Sequence, residues 1–167
     1  NKGVVKNYFD VLSLCKGEYI MACAGDDWWH NPNKIQLQVD YMEANDECSL
    51  CYGAYREYYP FNDTTHERSV IKYRDPLNQI LLDKNYLCAP TVCFRRKYIT
   101  EDIINSFVSR DYLMEDLPLW LLLSLNGKFY ALSESLVSYT IQKGSLSHSV
   151  NYEKQMSMLE SSYKVRK

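Results

Sequence analysis

Positions 4, 5, 8, 9, 11, 12 and 15 are apolar, the spacing of one helical face, and Lys16-Gly17 ends the run with a cation and then a glycine. The small, apolar residues 19–24 follow as a strand expected to be buried on both faces, so helix and strand together read as half of a βαβ crossover. That strand runs straight into Asp26 and Asp27, then Trp28 and Trp29. Behind them Asn31 is placed to cap a helix whose first position is Pro32, with Ile35, Val39 and Met42 facing inward and Asn45-Asp46 closing it. Alternation then puts Leu50, Tyr52, Ala54 and Arg56 on one face of a strand over 49–59.

Residues 60–75 are polar and turn-rich and read as a loop. Asp75-Pro76 opens a short helix to about residue 83, 89–95 resembles a strand ending in Arg95-Arg96, and 98–107 a short helix. Glu115 and Asp116 head a further helix with Pro118 in its first turn. Trp120, Leu121, Leu122, Leu123 and Leu125 make it apolar almost all round, which marks a buried helix ended by Asn126-Gly127. Strands are expected over 129–132 and 136–141, antiparallel or mixed. Tyr152, Met156, Leu159 and Tyr163 define a terminal amphipathic helix, for which packing on the core is favoured over a second chain or a membrane.

This alternation of helices and strands over 167 residues suits one α/β domain with a substantial core. A net charge of -2 without a basic block argues against a nucleic-acid surface. The longest apolar run, 117–125, is half of the ~20 residues a membrane span needs. No signal peptide is visible, and a start at Asn1 rather than Met is expected of a fragment or processed chain. The six cysteines sit mostly in apolar runs, as free thiols in a reducing compartment do. Cys48-Ser-Leu-Cys51 looks like a zinc pair, but in a strand these positions should point to opposite faces.

Two carboxylates at the end of a buried strand are costly unless a cation sits between them. Asp26 and Asp27 are therefore candidate ligands for Mg²⁺ or Mn²⁺, which take one or two protein carboxylates with substrate phosphates and water. The plainer alternative is a solvated turn braced by Asp27. Glu115-Asp116 reads either as acids favoured by a helix N-terminus or as a general base. Lys143, Ser145, Ser147 and His148 could meet a phosphate or simply line a solvated turn, and the same holds for Arg95-Arg96. His30 and His66 have no such context.

Taken in order, these segments resemble the inverting family 2 glycosyltransferases of GT-A fold. The likeness runs through Asn1-x-Gly3, Asn7 and Lys16-Gly-Glu-Tyr-Ile20, then Gly25-Asp-Asp-x-Trp29, Asn31-Pro-x-Lys34 and Gln38. Ala89-Pro-Thr-Val-x-Phe-Arg95, Glu115-Asp-x-Pro-Leu-Trp120 and the ending from Tyr139 to His148 complete it. The resemblance implies a Rossmann-like mixed sheet flanked by helices, with 1–149 a partial GT-A domain, N-terminally truncated, and 150–167 a helix packed on or extending from it. It places Asp26 and Asp27 on a metal motif, with Asp27 the direct ligand. Asp116, with Glu115 beside it, falls on the catalytic base, and Trp29 and Trp120 fall near the sugar and acceptor pocket. It implies a nucleotide-diphospho-sugar donor and a saccharide or lipid-linked acceptor, handled in the cytoplasm at the inner membrane face in polysaccharide biosynthesis.

Three departures stand out: Ala24 where the motif commonly has its first acid, and Thr140 and Gln142 where the ending often reads Tyr-Arg-x-His. The opening nucleotide-binding unit would precede Asn1, so the chain alone is expected to bind donor weakly and to turn over little. A GT-A-like module that binds without catalysing is the alternative from another class. A metal-dependent nucleotidyl- or phosphotransferase is the weaker third.

Overall fold

A computed structural model of the chain describes residues 2–73, 75–82, 85–142 and 151–167. The loop bearing Lys143, Ser145, Ser147 and His148 lies outside them.

The sheet is assembled on β2 (Cys48–Tyr59), which is paired along both edges. One edge runs parallel to β5 (Lys128–Thr140), from Cys48 opposite Lys128 to Tyr58 opposite Thr140. The other edge is shared. Leu50 and Cys51 pair antiparallel with β4 (Cys93–Arg95), and Tyr55 to Tyr59 pair antiparallel with β3 (Thr64–Arg68). Beyond β4 lies β1 (Tyr19–Met21), also antiparallel, giving one mixed five-stranded sheet.

Helices cover both faces. On one, α1 (Val4–Leu14), α3 (Pro76–Leu82), α4 (Glu101–Ser109) and α5 (Asp116–Asn126) build the main core with Leu50 and Phe94. On the other, α2 (Lys34–Ala44) lays Met42 over Cys48, Cys51 and Cys93. The architecture is the mixed α/β, GT-A-like arrangement expected from the sequence. α5 is buried as its composition demands, with Leu117, Leu119, Trp120 and Leu123 nearly or wholly inaccessible. Among the described residues no helix is long and apolar enough to cross a membrane.

Several elements correct the sequence pattern. The strand expected over 19–24 is only Tyr19–Met21, with Ile20 alone buried, and its antiparallel partner means that no parallel crossover is built on it among the described residues. α2 starts at Lys34 because Asn31 Oδ1 accepts from the Asn33 N–H at 2.9 Å and closes a turn first. Its buried face is Lys34, Gln38 and Met42, while Ile35 faces solvent. Gln38 can be buried because it is saturated: Nε2 donates to the carbonyls of Cys51 (3.0 Å) and Thr91 (2.8 Å), and Oε1 accepts from Lys34 Nζ (2.8 Å).

Residues 60–75 are not all loop. Asp63, at a positive φ, turns the chain back as β3, stitched to β2 by Arg56–Glu67 and Arg68–Glu57 ion pairs at 2.7 Å. Such a polar strand is stable at a sheet edge because neither face need be dry. Residues 89–95 begin as a 3₁₀ turn (Ala89–Thr91) before β4, and the two strands expected near the end are one, β5, with register shifts opposite Ala54. Arg95 is buried and donates to the carbonyls of Cys48 and Met42, which makes it a structural brace rather than a surface cation. Cys48 and Cys51 join one cluster instead of opposite faces, since the ladder shifts register between Cys48 and Leu50. Burial pushes the Cys48 thiol up to about 11 and Cys93 up to about 12.

The last helix, α6 (Tyr152–Arg166), docks by the face opposite its apolar stripe. Ser161 Oγ accepts from the Leu113 N–H at 2.8 Å and Arg166 Nε donates to the Ile80 carbonyl at 2.8 Å. Val165 packs against the main core, and Tyr152, Leu159 and Tyr163 are left exposed.

A Cβ at Gly127 would lie 2.6 Å from the Glu47 carbonyl and 2.8 Å from Ser49 Cβ, whereas one at Gly25 meets nothing. Gly127→Ala should cost about 1–3 kcal/mol in urea unfolding, because backbone must move to admit it, and Gly25→Ala should cost well under half of that.

Candidate active site

A cleft of about 760 Å³ opens between α1, the end of β1 and the start of α5, and Asp27, Glu115, Asp116, Trp120, Tyr8 and Tyr139 all line it. Its size suits a small-molecule site. Two acidic segments far apart in sequence thus meet around one cavity.

The Asp26-Asp27 turn is held by the end of β5. Trp28 and Ser138 exchange backbone bonds (3.2 and 2.9 Å), and the Asn31 N–H donates to Leu136 O at 3.3 Å. The Thr140 N–H donates to Asp27 Oδ1 at 2.8 Å, Thr140 Oγ1 donates to the Asp26 carbonyl, and Gln142 Nε2 donates to Asp26 Oδ2 at 2.9 Å. Thr140 and Gln142, departures by resemblance, are therefore the braces of the acidic turn. Asp26 is exposed and turned towards Gln142, while Asp27 is half-buried and lines the cleft. Burial raises the Asp27 carboxyl, the Thr140 N–H opposes this, and the neighbouring Asp26 charge adds to it.

The donor set fits a hard divalent cation that shares its shell with a ligand. Asp27 is a carboxylate held at a cleft wall with a second carboxylate adjacent, and among the described residues no basic side chain pairs with it. Among the described residues no group of three His, Cys, Asp or Glu forms a closed cage. A cation here would need oxygens from the ligand, as Mg²⁺ usually does.

Asp116 opens α5. Its Oδ1 accepts from the Leu117 N–H at 2.7 Å, so the helix-terminus reading is correct as far as it goes. Its Oδ2 accepts from Asn85 Nδ2 at 2.6 Å, and the Leu87 N–H donates to Asn85 Oδ1 at 3.2 Å, which fixes the way the amide faces. Burial raises the Asp116 carboxyl, and the bonds from Leu117 and Asn85 oppose that. Glu115 is raised by burial and then by the Asp116 charge. Tyr8 of α1 is raised by burial first, then by Glu115 and Asp116, and stays a neutral phenol against the acid pair.

Of the two tryptophans singled out by resemblance, Trp120 lines the cleft, edge-on to Phe94 at 6.3 Å, and its indole N–H has no partner among the described residues. Trp29 is not among the cleft's walls. Its ring lies 4.5 Å from Lys34 Nζ, and burial lowers that lysine to about 8. Arg95 and Arg96 do not reach the cleft. Asn85 and Tyr8 are the residues that sequence reasoning missed. Tyr8 stood on the inward stripe of its helix, while nothing in the pattern marked Asn85.

The Glycosyl transferase family 2 model matches residues 1–104 of the 167. The chain belongs to this family. The family 2 match takes in Asp26, Asp27 and Trp29 and stops short of Glu115, Asp116 and Trp120. Two similar relatives are uncharacterized proteins, Mb1547 of Mycobacterium bovis and Rv1520 of Mycobacterium tuberculosis, each 32% identical over 115 residues, 68% of this chain. The chain spans about a third of the length of these curated relatives, 33% in each case.

Removing the Asn85 amide removes a bond that favours the charged form of Asp116. Asn85→Ala should move the Asp116 titration midpoint upward, read from its side-chain carboxyl ¹³C shift against pH, with Asn85→Gln falling between the variant and the native protein.

Proposed function

We propose that this family 2 domain carries part of the machinery for transferring a sugar from a nucleoside-diphosphate sugar to an acceptor hydroxyl with inversion. The observation that carries the reading is that Asp27 and Asp116 line the same cleft. One carboxylate is placed to deal with the leaving diphosphate and the other with the incoming nucleophile, and inversion requires those two tasks on opposite sides of the anomeric carbon.

Asp116 is the general base. Its carboxylate orientation is set by Leu117 and Asn85, and its raised affinity for a proton suits the removal of one from a hydroxyl. Glu115 keeps the local field acidic and Tyr8 presents a neutral phenol to it. Trp120 offers the cleft an aromatic wall, and its buried indole N–H has no partner among the described residues. Asp27, with Asp26 beside it, would hold Mg²⁺ or Mn²⁺, which when bound supplies positive charge to the diphosphate. The turn that carries these two acids is locked to Thr140 and Gln142, so its geometry is set before a ligand arrives. Tyr139, next to that lock, continues the cleft wall.

Asp116→Asn in the whole protein should lower the transfer rate by about 10²–10⁴-fold and leave sugar-nucleotide binding intact; an unchanged rate excludes Asp116 as base. The stability effect depends on pH. A carboxyl whose folded pKa is raised loses folding stability as pH climbs from the unfolded value to the raised folded one, and the penalty is constant above that. Asp116→Asn sets an NH2 against one of the two donors and lowers the midpoint by a pH-independent amount, so the pH dependence carries this test: through that window the native midpoint should fall relative to that of the variant, as scanning calorimetry would show.

A further inference from the structure

The row of side chains on the sheet beyond the cleft has no role so far. Alternation along β2 puts Tyr55, Glu57 and Tyr59 on one face. Their cross-strand partners on β3 include Arg68, opposite Tyr55, and on β5 Tyr139 stands opposite Glu57. Tyr139 also lines the cleft, so the row begins at the acid site and runs outward to Phe61 at the hairpin turn. From Tyr55 to Tyr59 the strand rises about 13 Å, room for more than one sugar ring.

The chemistry of the row is mixed in a particular way. Tyr55 meets Tyr139 edge-on at 6.4 Å, and Tyr59 meets Phe61 edge-on at 5.8 Å, with Phe61 58% exposed. Between these ring pairs Glu57 Oε2 accepts from Tyr59 OH and from Arg68 Nη2, both at 2.7 Å. The opposite face of the same strands is differently occupied: Tyr58 packs on Trp28 of the acidic turn, and His30 meets Ser138. A lipid would need no carboxylate–guanidinium pair among the rings. A charged partner would find that pair already compensated. A saccharide presents C–H faces to aromatic rings and hydroxyls to a carboxylate and a guanidinium, and so matches both.

We infer that this face is an acceptor subsite for a saccharide, with Tyr59 and Phe61 as its stacking platform and Glu57–Arg68 as its hydroxyl-binding pair. The inference rests on the transferase reading, because a chain bound along the row leads its hydroxyl towards Asp116 at the cleft end. It names the acceptor as carbohydrate at the point of contact, whatever the chain is attached to further out.

The test uses the full chain with neutral tetrasaccharides of glucose, mannose and N-acetylglucosamine as probes, titrated by NMR, and with phosphatidylglycerol vesicles as the competing arm. The expected result is binding of at least one tetrasaccharide, weakened about tenfold by Phe61→Ala and further by Tyr59→Ala/Phe61→Ala. Phe61 lies at an exposed turn, so the single variant separates lost contact from lost folding. Absence of binding to every tetrasaccharide, equal binding by the double variant, or vesicle binding that alone depends on these rings overturns the subsite. Native transfer by Asp116→Asn would overturn the base assignment instead, and the saccharide titration still decides the subsite on its own.

Discussion

The contact on which the site depends is the grip of β5's last residues on the acidic turn. Thr140 gives its backbone N–H to Asp27 and its hydroxyl to the Asp26 carbonyl, and Gln142 gives its amide to Asp26 Oδ2. An Asp pair on a free turn would swing its charges into water, where they cost least. Tied to a strand that is itself paired along β2, Asp27 is kept at the cleft wall although burial raises its proton affinity.

The opposite wall uses the same principle with different parts. α5 is a largely apolar helix whose residues from Leu117 to Leu121, with Leu123, are buried in the core, and its first residue is an acid that the helix carries in with it. Leu117 and Asn85 satisfy the two carboxylate oxygens without neutralising the charge, and Glu115 adds another of the same sign. Hydrophobic burial of the helix thus supplies the free energy that holds Asp116 in an unfavourable place.

The long β2 strand links these walls to the surface beyond them. Its first half is core, clamped between the main apolar cluster and the layer of Met42 and three cysteines. Its second half is half-buried and carries tyrosines and two ion pairs outward with β3. One element therefore serves as fold axis at one end and as an extension of the cleft at the other.

Most helices, the buried character of α5, the acid turn after β1 and the Glu115-Asp116 helix start were legible in the chain, because local periodicity and capping chemistry set them, whereas β3 and the joining of two expected strands into β5 depend on sheet pairing. Three further things were not legible. Polar residues took the inside of α2, since Gln38 found two orphan carbonyls on the sheet that no pattern in its own helix announces. Thr140 and Gln142 read as losses until the turn they hold was beside them. Asn85 carried no signal at all, for its role exists only where a loop passes the head of α5. The sequence by itself determined which segments are apolar enough to bury and which acids must travel with them. Only the tertiary structure decided which backbone N–H and amide groups stand opposite those acids, because partners separated by more than a hundred residues, as Asp27 and Thr140 are, meet through packing and not through any local preference.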